Sequence, residues 1–242
     1  MSEPNITETN EMLPRMPLIG DPAPEFVAQT TNGTVNFPAD YAGKWVILFS
    51  HPNDFTPVCT TEFITFQSKR EEFKKMNTEI IGLSIDTIHS HIAWLRTIKE
   101  KIEFRGIKNQ EINFPLIADI KMHVAKIYGM LQPNASTTQA VRAVFVIDPK
   151  GIVRAILYYP LTTGRNFDEL KRIVVALQTA DAFKVATPAD WKPGENVVIG
   201  APVTMAAAEE RVRDKSLMVN DWFLSFKKLS AEDIEKQLKA KK

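Results

Sequence analysis

Trp45-Val46-Ile47-Leu48-Phe49-Ser50-His51-Pro52-Asn53-Asp54-Phe55-Thr56-Pro57-Val58-Cys59-Thr60-Thr61-Glu62 reads as a short apolar strand, a proline-containing loop and the start of a helix. Thr56 is a suitable N-cap residue and Pro57 suits the first helical position, so Val58 and Cys59 occupy the next two. From there Phe63, Phe66, Phe73 and Met76 recur near the helical period, with Lys69, Arg70, Glu71, Lys74 and Lys75 between them. Cys59 is therefore expected in the first turn, where unpaired N–H groups and the macrodipole favour an anion. The thiolate is the nucleophilic form of cysteine, and such surroundings favour it. The alternative from local pattern alone is a small buried hydrophobe. Cys59 is the one cysteine of 242 residues, so neither an internal disulfide nor a sulfur-rich metal site can form.

Outward from this junction, residues 25–38 predict a β-hairpin around Asn32-Gly33. After strand 45–50 and the Cys59 helix come strand 79–85, a helix over 88–101, strand 114–118 and a short helix over 121–128. Residues 141–147 and 152–158 flank the turn Asp148-Pro149-Lys150-Gly151 and predict a second hairpin. A helix over 166–180, with Phe167, Leu170, Ile173, Val174 and Leu177 on one face, closes the core. This alternation predicts an α/β fold with a mixed sheet covered by helices on both faces.

The character changes after Ala182. Residues 187–196 are turn-rich, Gly200-Ala201-Pro202 interrupts again, and the helix expected over 230–241 is mostly charged. Between them, residues 217–226 (LMVNDWFLSF) are apolar on too many sides for a free tail and must cover something. A partner-binding arm fits better than a self-contained second domain.

Composition excludes several classes. With 44% hydrophobic and 24% charged residues and a net charge of +1, the chain is an ordinary globular protein without the basic field that attracts nucleic acid. No apolar stretch approaches the roughly 18 residues of a membrane span. The opening MSEPNITETNEMLPRMPL lacks a basic region followed by an apolar core, so no signal peptide is expected. A single thiol then fits a reducing cytoplasm. His89 and His91 lie two apart on a predicted helix and diverge, which makes a poor metal pair, and neither a metal nor a cofactor is expected. There is no C-x-x-C, no G-x-S-x-G and no glycine-rich phosphate loop.

Pro52-x-x-x-Thr56-x-x-Cys59, in its strand–loop–helix setting, resembles the signature of the peroxiredoxins. The wider run 49–62 is similar to their one-cysteine, peroxiredoxin-six-type branch. Further similarity lies in Gly82-Leu83-Ser84-Ile85-Asp86, in residues 142–148 (RAVFVID), in residues 162–169 (TTGRNFDE) and in residues 186–191 (ATPADW). The resemblance implies a thioredoxin-like peroxidase domain over 18–182. It also implies a C-terminal extension over 183–242 that serves in dimer formation, with rings such as decamers built from dimers.

The activity so implied is reduction of hydrogen peroxide and organic hydroperoxides to water and alcohols through a sulfenic acid at Cys59. That activity protects against oxidative stress and maintains redox homeostasis. Thr56 would place its hydroxyl near sulfur and peroxide, unless it caps the helix instead. Pro52 would shield the sulfur, and Arg142 would favour the thiolate and bind the peroxide. Glu62 would pair with Arg142 and Arg165, or else stand as a solvated first-turn glutamate. Arg165 would otherwise be a surface or capping residue. His51 would line the pocket or serve as a structural loop residue. With no second cysteine, an external thiol, small molecule or redox protein, must regenerate the enzyme. A thiol redox sensor and a holdase-like assembly are the rival classes, and neither requires Pro52, Thr56, Cys59 and Arg142 together.

Overall fold

A computed structural model describes residues 15–136 and 138–240; most of the expected signal-peptide-free opening lies outside the described residues. In chain order the elements are β1 (Phe26–Thr30), β2 (Gly33–Phe37), β3 (Trp45–Ser50), α1 (Pro57–Lys75), β4 (Thr78–Ser84) and α2 (Ile88–Lys101). Then follow β5 (Glu103–Phe104), β6 (Ile107–Lys108), β7 (Leu116–Ala118), α3 (His123–Ile127), β8 (Arg142–Ile147), β9 (Val153–Tyr159) and α4 (Phe167–Phe183). The extension contributes β10 (Val197–Ile199), α5 (Met205–Arg213), β11 (Met218–Asp221), β12 (Leu224–Lys227) and α6 (Ala231–Ala240).

Seven strands form one mixed sheet in the order β2-β1-β7-β4-β3-β8-β9. Every residue of β3 is buried, as befits a strand paired in parallel with β4 and antiparallel with β8. Its alternation divides the core. Trp45, Ile47 and Phe49 face α1, α2 and α4 through Phe63, Phe66, Trp94, Ile98 and Leu170. Val46 and Leu48 face the other layer, with Val124 and Ala125 of α3 and Phe26 and Phe37 of the first hairpin. At roughly 1.5–3 kcal/mol for each large apolar side chain buried, this double-sided burial fixes β3, and so its C-terminal end, as the rigid base of the loop that follows.

Turn chemistry matches the sequence with small shifts. Thr30 pairs with Gly33, so the first hairpin turns at Thr31-Asn32, one residue earlier than expected. Gly33 then opens β2 at a φ of +105° that other residues resist. In the second hairpin the Asp148 carboxylate accepts from the Lys150 and Ile152 N–H groups, closing the turn around Gly151. Asn166 caps α4 through the N–H groups of Asp168 and Glu169.

The extension is anchored on its own chain. Trp191, Val197, Leu229 and Ile234 form a third apolar cluster against Val175 of α4. Residues 218–227 make a hairpin within a three-stranded sheet, β10-β12-β11, with Trp222 and Phe223 at its tip. Those two, with Val203, Met205, Val212 and Met218, remain exposed.

Candidate active site

The loop His51–Thr56 leaves the C-terminal end of β3 and delivers the chain to α1. Thr56 has extended dihedrals and stands at the N-cap position, with Pro57 as the first helical residue. Its hydroxyl neither caps the helix nor meets the sulfur: it donates to the Asn53 carbonyl at 2.9 Å. The hydroxyl proton is thus committed to a bond that braces the loop. The oxygen's lone pairs stay available as acceptors. Asn53 is in turn held by the side-chain amide of Gln139.

Cys59 occupies the first turn of α1 and is fully buried. The guanidinium of Arg142, at the start of β8, donates to its Sγ at 3.3 Å. Arg142 also donates to the Leu161 carbonyl from Nε and Nη2, at 3.1 and 2.8 Å. Position 142 is set by a staple that the sequence did not announce. The Ser50 hydroxyl donates to the Val141 carbonyl at 2.6 Å and accepts from the Ala143 N–H at 3.1 Å, gripping β8 on both sides of Arg142.

Glu62 lies one turn beyond Cys59 and is 2% exposed, so it is not a solvated first-turn glutamate. Its carboxylate accepts from Arg142 Nη1 at 2.8 Å and from Arg165 Nε and Nη2 at 3.0 and 2.6 Å. The Arg165 backbone N–H adds a fourth donor at 2.8 Å. Burial opposes ionisation of Glu62, but Arg165 first and Arg142 second outweigh it and hold the carboxyl below its usual range. Arg165 is no surface residue either. It lies 4.8 Å over the Phe49 ring and donates to the Ser50 and Ala143 carbonyls. One carboxylate between two guanidiniums leaves a net positive charge directed at the sulfur.

Pro52 is buried, and His51 before it is wholly buried. The His51 ring stacks on Trp94 at 5.2 Å and meets Phe63 edge-on at 4.8 Å. Its Nε2 pairs with Asp54 Oδ1 at 3.1 Å, whereas Asp54 Oδ2 pairs with His91 Nδ1 at 2.8 Å. Burial lowers the His51 imidazole despite Asp54. The Asp54 N–H donates to Asp86, which also accepts from the Ser84 hydroxyl. His51, Asp54 and Asp86 bring one donor atom each within 4.8 Å. Both Asp54 oxygens are spent on imidazoles, however, so the group closes on itself as a hydrogen-bond network. Sequence reading missed Asp54 and His91. The signal for His91 was its place on the stripe of His91, Trp94 and Ile98, the buried face of α2. His89, two residues away, points outward, so the two histidines diverge as expected.

Comparison with known proteins places this geometry. A family model described as the AhpC/TSA family matches residues 19–156. A second, the C-terminal domain of 1-Cys peroxiredoxin, matches residues 176–215. A peroxiredoxin of Methanosarcina mazei is 65% identical over 215 residues, covering 88% of this chain and 98% of that protein. One of Aquifex aeolicus is 54% identical over 224 residues, covering 88% and 98%. Among solved structures, a yeast mitochondrial 1-Cys peroxiredoxin aligns with a TM-score of 0.77 and 39% identity, covering 88% of this chain and all of that one. Peroxiredoxin 6 of Arenicola marina aligns with a TM-score of 0.75 and 32% identity, covering 87% and 97%.

Proposed function

The chain belongs to the AhpC/TSA family as a peroxiredoxin of the one-cysteine type, a thiol-dependent peroxidase on a thioredoxin-like fold, and we propose that Cys59 is its peroxidatic nucleophile. The observation that carries this assignment is the Arg142 guanidinium 3.3 Å from the sulfur in the first turn of α1. A fixed cation and unpaired helix N–H groups at one sulfur favour its thiolate.

The thiolate attacks the terminal, hydrogen-bearing oxygen of the hydroperoxide. The S–O bond forms as the O–O bond breaks, and the leaving oxygen takes the electron pair and then a proton from solvent. The products are a Cys59 sulfenic acid and water or an alcohol. Thr56, whose proton is committed to Asn53, accepts the peroxide O–H and so aligns the substrate. Arg142 and the Val58 and Cys59 N–H groups stabilise charge on the leaving oxygen. Pro52 and His51 form the buried wall that keeps water from the sulfur, and Glu62 and Arg165 orient Arg142.

Recovery requires two equivalents of external thiol. The first attacks the sulfenic sulfur and expels water, leaving a mixed disulfide, and the second releases the Cys59 thiol. The solved structure of the yeast relative is described as resolving its thiol through glutathione and thioredoxin systems, which supports the same class of reductant here. The peroxidase core spans 18–182 and the extension 183–242 covers a second copy. The exposed Val203, Met205, Trp222 and Phe223 support a homodimer, with rings such as decamers assembled from it. Among the described residues no helix is long and apolar enough to cross a membrane. The lone thiol supports a reducing, cytoplasmic site of action. Replacing Cys59 by serine tests the assignment: peroxide turnover with dithiothreitol should vanish, and persistent turnover would refute it.

A further inference from the structure

The network behind the active-site loop contains more protons than the peroxidase reading uses, and its geometry, with Asp54 ionised, assigns where they are. His91 Nε2 lies 3.1 Å from the Ile117 carbonyl oxygen. A carbonyl only accepts, so Nε2 carries a hydrogen. On the other side of the ring, His91 Nδ1 lies 2.8 Å from Asp54 Oδ2. An ionised carboxylate also only accepts, so Nδ1 carries a second hydrogen. Asp54 Oδ1 accepts in the same way from His51 Nε2. The neutral His51 ring then has no hydrogen on Nδ1, a buried nitrogen without a hydrogen-bond partner. Burial would raise the Asp54 carboxyl, but the hydrogen bonds from His51 and His91 hold it below the usual carboxylate range. Asp86, after β4, is the further charged group facing this pair, and it is engaged by the Asp54 N–H and Ser84.

We propose that His91 is a positioning residue for the peroxidase reaction: its doubly protonated imidazole holds Asp54 as a carboxylate, which fixes His51 as the Nε2–H tautomer and pins the loop bearing Pro52 and Thr56. The proposal rests on reaction at Cys59. Through His91 that loop is tied to α2 and, by the Ile117 carbonyl, to β7. Through the Asp54 N–H it is tied to the end of β4. Three elements therefore hold a six-residue loop whose hydroxyl and proline must stay in register with the sulfur. His51 presents an apolar ring face to Trp94 and a bare nitrogen rather than a charge, so Arg142 remains the cation at the sulfur.

The test begins with the unaltered full chain carrying 15N-labelled histidine. NMR should show His91 with hydrogen on both ring nitrogens and His51 with hydrogen on Nε2 only. Both patterns should be present at pH 7. A bare Nδ1 on His91, or a bare Nε2 on His51, overturns the proposal without touching the assignment of Cys59. Peroxide kinetics of the same unaltered protein test that assignment separately.

Two variants then separate positioning from mere packing. His91→Asn keeps a donor toward Asp54 but removes the charge, whereas His91→Gln keeps a donor toward Ile117 and loses Asp54. Both should slow Cys59 oxidation by hydrogen peroxide by about tenfold or more, since a misplacement of about 1 Å can cost up to about 10²-fold. His91→Asn should also show a new limb in its pH–rate profile as Asp54 and His51 titrate. Folded variants with the native rate and the native profile overturn the proposal.

Discussion

Replacing Glu62 by glutamine removes the single negative charge that two buried guanidiniums share. The four donors it accepts include one from the backbone and three from Arg142 and Arg165, and the side chains are 2%, 3% and 0% exposed. Glutamine keeps the shape but turns one acceptor oxygen into an N–H donor facing other donors. It also leaves Arg165 charged, buried and unpaired by any carboxylate. Breaking one side of a buried ion pair costs about 3–5 kcal/mol. For a chain of this size each kcal/mol moves the melting temperature by roughly 2–4 °C, so a fall of about 6–20 °C is expected. The sign of the pH dependence follows as well. Because the folded Glu62 carboxyl is held below its unfolded value, its contribution is fully present above about pH 4.3 and is lost as pH falls through the folded value. The native protein should therefore lose stability toward acid more steeply than Glu62→Gln. The assay is urea or thermal unfolding of both proteins at pH 7 and at pH 4. A variant within about 0.5 kcal/mol of native at pH 7 would contradict the idea that this carboxylate compensates the two buried guanidiniums.

Arg142→Lys should slow the reaction of Cys59 with hydrogen peroxide by roughly 10²–10³-fold, because one ammonium cannot reach Sγ, Glu62 and the Leu161 carbonyl together; stopped-flow fluorescence reads it, and a rate within twofold of native contradicts it. Thr56→Val removes the acceptor while keeping the shape and should cost about tenfold or more in the same assay, whereas Thr56→Ser should stay within a few-fold of native. Equal rates for valine and serine would show that the hydroxyl does not bind peroxide. Changing Trp222 and Phe223 together to aspartate should shift sedimentation toward the monomer while leaving the unfolding of the core unchanged. An unaltered mass would place the subunit contact elsewhere.

The catalytic core was legible because its signals are local. Trp45 to Phe49 is an uninterrupted apolar run, Thr56-Pro57 marks a helix start, and Phe63, Phe66 and Phe73 follow its period. Each element boundary there falls within a few residues of expectation. The two-residue strands β5 and β6 left no pattern because alternation needs more than two positions to be seen. In the extension, β10, α5 and the β11–β12 hairpin are short, and their pairing depends on Trp191 and α4, far away in sequence. The resemblance pointed to Arg142, Glu62 and Arg165 and to their pairing, but not to the Leu161 carbonyl that Arg142 grips. The Ser50 staple, the Thr56–Asn53 bond and the Asp54–His91 contact each join residues by geometry. Periodicity could have grouped His91 with Trp94 and Ile98 on the inner face of α2, but could not say that a carboxylate waited there.

A single-turnover reaction tests most directly the proposal that Cys59 is the peroxidatic nucleophile. Reduced protein mixed with one equivalent of hydrogen peroxide should be oxidised orders of magnitude faster than free cysteine, with mass spectrometry finding a single added oxygen on Cys59. Oxidation at the rate of free cysteine, or an oxygen found on another residue, would contradict it.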